Sequence, residues 1–172
     1  MKQNLLAVGG NEVFVINAEV AVKSSKAEKA KYTYRPGRNQ SEHQGGEISA
    51  VNWNPQVPQV LAASSYNGIT AVWDLRETKT LFNIHDPAYF NRAQCTSLLW
   101  NSEIATQFVV AYDCDEPCIQ IWDLRKKEYP VKEFKTAHSY GIMDLSWCPY
   151  DTDLMLSLDR SGNVVYWDFK QG

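Results

Sequence analysis

The chain has 172 residues, with 17 Lys and Arg against 20 Asp and Glu and a formal net charge of −3. This length permits one domain with a real core, and the charge balance provides no global positive field to draw nucleic acid. No apolar run approaches the ~18–20 residues that cross a bilayer, and Leu5–Val8 is too short and too soon interrupted for a signal segment. A cytosolic chain is therefore expected, with Cys95, Cys114, Cys118 and Cys148 reduced.

In chain order, residues 4–17 (NLLAVGGNEVFVIN) read as the back half of a repeat: a strand at Leu5–Val8, a turn at Gly9-Gly10-Asn11, and a second strand at Glu12–Ile16. Set beside Leu61–Asp74, Ile16 takes the place of Trp73 and Asn17 that of Asp74. Residues 18–46 form a loop insertion in which Lys23, Lys26, Lys29, Lys31, Arg35 and Arg38 outnumber Glu19, Glu28 and Glu42, with turn chemistry at Arg35–Arg38 and one short strand at Tyr32–Tyr34. Charge without interleaved aromatics makes this a solvated loop. The sharper alternative is a contact for an acidic partner or an anionic membrane surface.

Three fuller units follow, over residues 47–84, 95–135 and 138–170. The first is expected to place strands at Ile48–Trp53, Val60–Ser65, Ile69–Asp74 and Lys79–Ile84. The second places them at Cys95–Trp100, Phe108–Tyr112, Cys118–Asp123 and Val131–Lys135, and the third at Ile142–Trp147, Leu154–Leu158 and Asn163–Asp168. All six tryptophans fall into one scheme of pairs, Trp53/Trp73, Trp100/Trp122 and Trp147/Trp167. Successive first members are 47 residues apart, and second members 49 and 45 apart. Asp74, Asp123 and Asp168 follow the second members, in AVWDLR, IQIWDLR and VVYWDFK.

A fixed period of this size closed by Trp-Asp is the mark of a WD-repeat β-propeller. Short, evenly spaced strands without a helical apolar period indicate antiparallel sheet throughout. The expectation is thus an all-β chain of three to four propeller blades, forming one partial propeller over residues 1–172. The tryptophans would wedge one blade against the next. Each Asp would end its strand and accept backbone N–H groups of the following turn.

Specific chemistry is sparse. His138 stands where WD repeats often carry Gly-His, and its imidazole is expected to hydrogen-bond within its blade; Arg92-Ala93-Gln94 and Gly45-Gly46-Glu47 stand there in the other two units. Asp113–Cys118 (DCDEPC) offers metal-ligand residue types, but Cys-x3-Cys without a second pair or a nearby histidine falls short of a four-ligand zinc site. His43, His85 and His138 occupy unrelated loops, and no phosphate-binding, dinucleotide or H-E-x-x-H motif is present. No catalytic residue, metal or cofactor is therefore expected. Exposed loop aromatics and arginines are the usual anchors of protein contacts, which makes Tyr66, Tyr89, Phe90, Arg92 and Tyr140 candidate partner-facing residues.

The flanking residues go beyond the generic pattern. Trp53-Asn54 with Gln56-Val57-Pro58 and Leu61-Ala62 beyond it, the Ala105-Thr106-Gln107 step, and Pro117 before Ile119–Arg125 resemble consecutive repeats in the amino-terminal propeller of the larger subunit of the COPII outer coat. The half repeat Leu5–Asn17 and Arg35-Pro36-Gly37 fit the segment preceding those repeats. The resemblance implies a non-enzymatic scaffold of the cage that carries cargo from endoplasmic reticulum to Golgi. Such a protein works on the cytoplasmic face of the endoplasmic reticulum membrane and on coated vesicles, and meets the membrane peripherally through the coat. It further implies other coat subunits as partners, notably the smaller WD-repeat subunit of the cage, which in that family binds a solenoid outside the propeller. The alternative is a generic WD-repeat adaptor presenting a face in another assembly, such as a chromatin or ubiquitin-ligase complex. Rings of blades usually close with 4–8 members. These units are accordingly expected to be part of a longer or shortened product, marginal or self-associating through open blade edges.

Overall fold

A computed structural model describes residues 5–18, 32–34, 46–77, 80–89, 92–135 and 137–170. It contains fourteen strands in four antiparallel sheets, each a meander in which neighbours in sequence are neighbours in space. Sheet 1 is β1 (Leu5–Gly9), β2 (Val13–Asn17) and β3 (Tyr32–Tyr34). Sheet 2 is β4 (Ile48–Trp53), β5 (Val60–Ser65), β6 (Thr70–Asp74) and β7 (Thr80–Ile84). Sheet 3 is β8 (Gln94–Trp100), β9 (Gln107–Asp113), β10 (Cys118–Asp123) and β11 (Lys132–Phe134). Sheet 4 is β12 (Ile142–Trp147), β13 (Leu154–Asp159) and β14 (Val164–Asp168). The expected strands are all present, their ends shifted by a residue or two, and the expected basic loop at 19–31 and 35–38 lies outside the described residues.

The sheets are propeller blades because each is apolar on both faces. Strands β5, β6 and β10 are buried at every residue, which a sheet with one wet face cannot achieve. Three apolar clusters fill the three joints. Val13 and Val15 of sheet 1 meet Leu61, Ala63, Ala71 and Trp73 of sheet 2. Val60, Ala62 and Val72 of sheet 2 meet Leu98, Trp100, Phe108 and Trp122 of sheet 3. Val109, Ala111, Ile119 and Ile121 of sheet 3 meet Leu145, Met155 and Trp167 of sheet 4. Both tryptophans of every pair face the preceding blade, so the wedge has a direction. Contact is close enough at the first joint that a Cβ on Gly9 would stand 2.6 Å from Ile48 Cγ2.

The 47-residue period also governs irregularities. Each inner strand carries a register shift at the same place, between Ile48 and Ala50, Cys95 and Ser97, and Ile142 and Asp144. A bulge of this kind leaves one residue out of the ladder and bends the strand. At the second such place the free residue is used: Thr96 Oγ1 donates to Ile142 O of the next blade at 2.7 Å. The hairpin turns β5–β6 and β13–β14 close on Gly68 and Gly162, with φ of 82° and 88°, a region only glycine enters without cost.

Trp122 is 1% exposed and wedged between two blades, whereas Trp167 is half-buried in the last sheet. Trp122→Ala should therefore cost about 3–5 kcal/mol and Trp167→Ala clearly less. Urea midpoints of the two variants provide the comparison, and equal losses would contradict the sandwich.

Candidate protein-binding faces and the repeat network

Meander topology sorts the loops onto two ends. Residues 66–68, 85–89, 92–93, 113–117, 137–141 and 160–162 share one end of the strands; residues 54–59, 75–77, 101–106, 124–131 and 148–153 share the other. A depression of about 340 Å³ at the first end is lined by Gly46, Tyr66, Asn67, Arg92, Ala93 and Gln94. Two of the expected partner-facing residues, Tyr66 and Arg92, thus meet at the joint of sheets 2 and 3, with Tyr66 and Tyr140 about half exposed. Tyr89 behaves differently. It is 6% exposed and stacks on Tyr112 at 4.8 Å, so its ring belongs to the core and presents nothing to a partner. Phe90 lies outside the described residues.

The second end carries a groove of about 310 Å³ in which Trp53, Trp100 and Trp147 line up, one from each inner strand. Its seam is polar and specific. Asn54 Oδ1 accepts the N–H groups of Gln56 and Val57 at 3.0 and 2.9 Å, while its Nδ2 donates across the joint to Ala105 O at 2.8 Å. Gln56 Nε2 donates to Ser102 O and Glu103 O. Asn101, 47 residues after Asn54, repeats the turn by accepting from Glu103 and Ile104 at 2.8 and 2.9 Å. Equal spacing of Asn54 and Asn101 was the available signal for this pair, but their bonding across the joint has no counterpart in the pattern.

The Trp-Asp closures end in a clasp. Asp74 Oδ1 accepts the Arg76 N–H at 2.9 Å, Asp123 that of Arg125 at 3.0 Å, and Asp168 that of Lys170 at 3.0 Å. Guanidinium groups add further bonds in the first two; in the third, Lys170 turns to Asp151 and Asp153 instead. The Arg125 guanidinium beside Asp123 holds that carboxyl well below the usual carboxylate range, outweighing the upward push of burial.

His138 sits in the network expected of it, and the network draws together residue types whose meeting was not expected. Trp167 Nε1–H donates to Ser157 Oγ at 2.8 Å, Ser157 Oγ lies 2.6 Å from His138 Nε2, and His138 Nδ1 lies 3.0 Å from Asp159 Oδ2. An ionised Asp159 fixes the directions: Nδ1–H donates to the carboxylate and the serine hydroxyl donates to Nε2. Burial alone would raise the Asp159 carboxyl, but the Ser161 hydroxyl, His138 and the Ser161 and Asn163 amides hold it well below its ordinary range. Ser-His-Asp proximity is thus present after all, although Ser157 is 1% exposed and its oxygen is occupied by the Trp167 indole. The chain of bonds ties β13 and β14 to the segment that leads into β12, and every polar atom in it is already engaged.

Sheet 3 achieves the same end by other residues. Val110 and Tyr112 stand at the ladder places of Ser157 and Asp159, so the Trp122 indole donates instead to Gln120 Oε1 at 3.1 Å. The fully buried Gln120 amide in turn donates to Asp86 Oδ2 at 2.6 Å and Glu133 Oε1 at 3.0 Å. Gln120 carried no signal in the sequence. Among the described residues no group of three or more His, Cys, Asp or Glu could hold a metal ion. In the 113–118 stretch Cys118 is buried, and that burial pushes its thiol up to about 12.

No family model matches the chain. Among curated proteins, the protein transport protein SEC31 of Dictyostelium discoideum is 37% identical over 169 residues, covering 96% of this chain and 12% of the relative. Sec31A of Danio rerio is 35% identical over 168 residues, covering 97% and 12%. A solved structure of COPII on membranes, at the outer coat vertex, superposes with a TM-score of 0.80 at 28% identity, over 98% of this chain and 44% of that one. A chain of the mitotic checkpoint complex, at 20% identity and a TM-score of 0.73, shares the fold alone. Fold and repeat network together define a WD-repeat β-propeller segment. More particularly, the chain is a Sec31-like WD-repeat segment, and it spans about an eighth of the length of the curated relatives it matches.

His138→Ala should cost about 1–3 kcal/mol, by leaving Ser157 and Asp159 buried without their partner. The loss should be confined to sheet 4, read as faster amide exchange in β12–β14 with β4–β6 unchanged; a uniform loss would contradict it. For Asp123 the folded pKa is depressed, so its stabilisation is complete above the unfolded value of about 3.9 and is lost as pH falls through the folded value. The difference in urea midpoint between wild type and Asp123→Asn should hold steady above pH ~5 and narrow below ~4. A gap that widens on acidification would refute the clasp.

Proposed function

We propose that this chain is a non-enzymatic scaffold segment of the COPII outer coat, acting in protein transport from endoplasmic reticulum to Golgi on the cytoplasmic side of the membrane. The observation that carries this reading is the 35–37% identity to Sec31 proteins along nearly the whole chain, joined to the match with an outer coat vertex. The residues that set it apart from a generic WD pattern also do structural work: Asn54, Gln56 and Ala105 build the seam between blades 2 and 3. Its partners are other coat subunits, and its contact with membrane is peripheral, through the coat. Tyr66, Arg92 and Tyr140 on the first loop end are the residues that meet a neighbour.

In a coat assembled from its subunits on membranes resembling endoplasmic reticulum, the tagged chain should sediment with the coated membranes. Arg92→Glu should reduce its recovery about five- to tenfold, the loss of one interface anchor, with an unchanged circular dichroism spectrum. Equal recovery on bare membranes would overturn the proposal. So would capture by chromatin or ubiquitin-ligase components in place of coat, which is what a generic adaptor predicts.

A further inference from the structure

At the first loop end, the joint of sheets 3 and 4 and the joint of sheets 2 and 3 are built from equivalent places but finished differently. Register identifies those places. Tyr66 N–H donates to Glu47 O at 2.9 Å, Asp113 stands opposite Gln94 in the ladder, and Arg160 N–H donates to Gly141 O at 3.0 Å. Tyr66, Asp113 and Arg160 thus hold one position in blades 2, 3 and 4, and Glu47, Gln94 and Gly141 hold the position across from it.

A carboxylate seals the joint of sheets 3 and 4. Asp113 packs so closely on Gly141 that an added Cβ would fall on its carboxylate, and Arg160 Nη2 donates to Asp113 Oδ2. Only 7% of the Asp113 side chain is exposed. At the joint of sheets 2 and 3, Tyr66 replaces the Asp113 of the next blade and Gln94 replaces Gly141, so no carboxylate of the chain enters. The depression of about 340 Å³ stands there instead, and none of its six lining residues is acidic. Arg92 is exposed at its wall, and among the described residues no carboxylate pairs with its guanidinium. This joint has the arginine without the acid.

We infer that the depression receives an aspartate or glutamate carboxylate from an acidic segment of a partner protein. That carboxylate completes at the joint of sheets 2 and 3 the acid–arginine pair that Asp113 and Arg160 make one joint further on. A guanidinium offers a planar fork of donors that matches a carboxylate in two parallel bonds. The Gln94 amide and the Tyr66 hydroxyl are further donors on the same wall, and the Tyr66 ring, 46% exposed, flanks the apolar part of the incoming side chain. A cationic partner finds no acid here to meet. The inference deepens the reading of Tyr66 and Arg92 as residues that meet a neighbour, and rests on it.

Fluorescence anisotropy of a short labelled peptide in which glutamate alternates with serine and phenylalanine, titrated at low salt with the 172-residue chain, measures the contact. Arg92→Gln should weaken binding about tenfold, the loss expected for a hydrogen bond to a charged group. Replacing glutamate by glutamine in the peptide should do the same against the wild-type chain, whose fold is then not in question. Lys126→Gln removes the same charge at the second loop end and should leave binding unchanged. Absence of binding would overturn the inference, as would a loss for Lys126→Gln as large as for Arg92→Gln, or equal affinity for the glutamine peptide. Tighter binding of a phosphoserine peptide without glutamate would overturn it too, by giving the depression to phosphate. The assay holds no coat subunit, so its failure counts against the carboxylate, while sedimentation with coated membranes separately tests the coat reading.

Discussion

Everything in this molecule depends on sheets that are apolar on both faces. A sheet with one wet side can rest on a single core, but β5, β6 and β10 have no polar side to turn outward, so each blade needs a neighbour on either hand. Burial of this kind contributes roughly 25 cal/mol per Å² of apolar surface, and a tryptophan or phenylalanine brings 150–250 Å² of it. The joints rather than the hydrogen-bonded ladders therefore decide where the chain is stable. This is why both tryptophans of each pair lie on the same side of their blade: the larger groups are gathered at one face, and small residues such as Ala62 and Val72 at the face that receives them.

The polar networks then fix the angle at which the blades meet. Apolar contact is undirected and would tolerate sliding, whereas Asn54 to Ala105 O and Thr96 to Ile142 O are single distances between named atoms on successive blades. The indole N–H is the other constraint. Burying it without an acceptor would forfeit a hydrogen bond of about 1–3 kcal/mol, and sheets 3 and 4 satisfy it through Gln120 and through Ser157 respectively. Equivalent positions thus keep the function of the residue while its chemistry changes, which also explains why only one unit contains the histidine.

Legibility in the sequence tracks how local the cause is. The strands, the direction of the chain through each blade and the role of Asp74, Asp123 and Asp168 follow from alternation and a 47-residue period, both visible in one dimension. Tyr89 and Gln120 show the limit. Tyr89 looks like loop decoration, yet its ring is drawn inward by Tyr112, 23 residues on; Gln120 occupies a place in β10 where a polar residue reads as an outlier, until Asp86 and Glu133 arrive from two other segments to satisfy its amide. His138 was half legible: its position in the repeat indicated a bond within the blade, but its partners Ser157 and Asp159 come together only because β13 alternates them onto one face. Whether a Ser-His-Asp trio is catalytic is decided by burial and by what already occupies the serine, neither of which sequence displays.

The Trp-Asp residues and the seam residues answer different physical demands. Any WD blade must solve the wedge and the indole, and the fold that results is shared even with a chain of the mitotic checkpoint complex at 20% identity. Asn54, Gln56 and the Ala105–Gln107 step solve a narrower problem, the fit of one particular blade onto the next at one end of the strands. A geometry needed at a single seam constrains side chains that the repeat leaves free. The seam residues therefore fix how one blade seats on the next, while the conspicuous tryptophans fill the joints between blades.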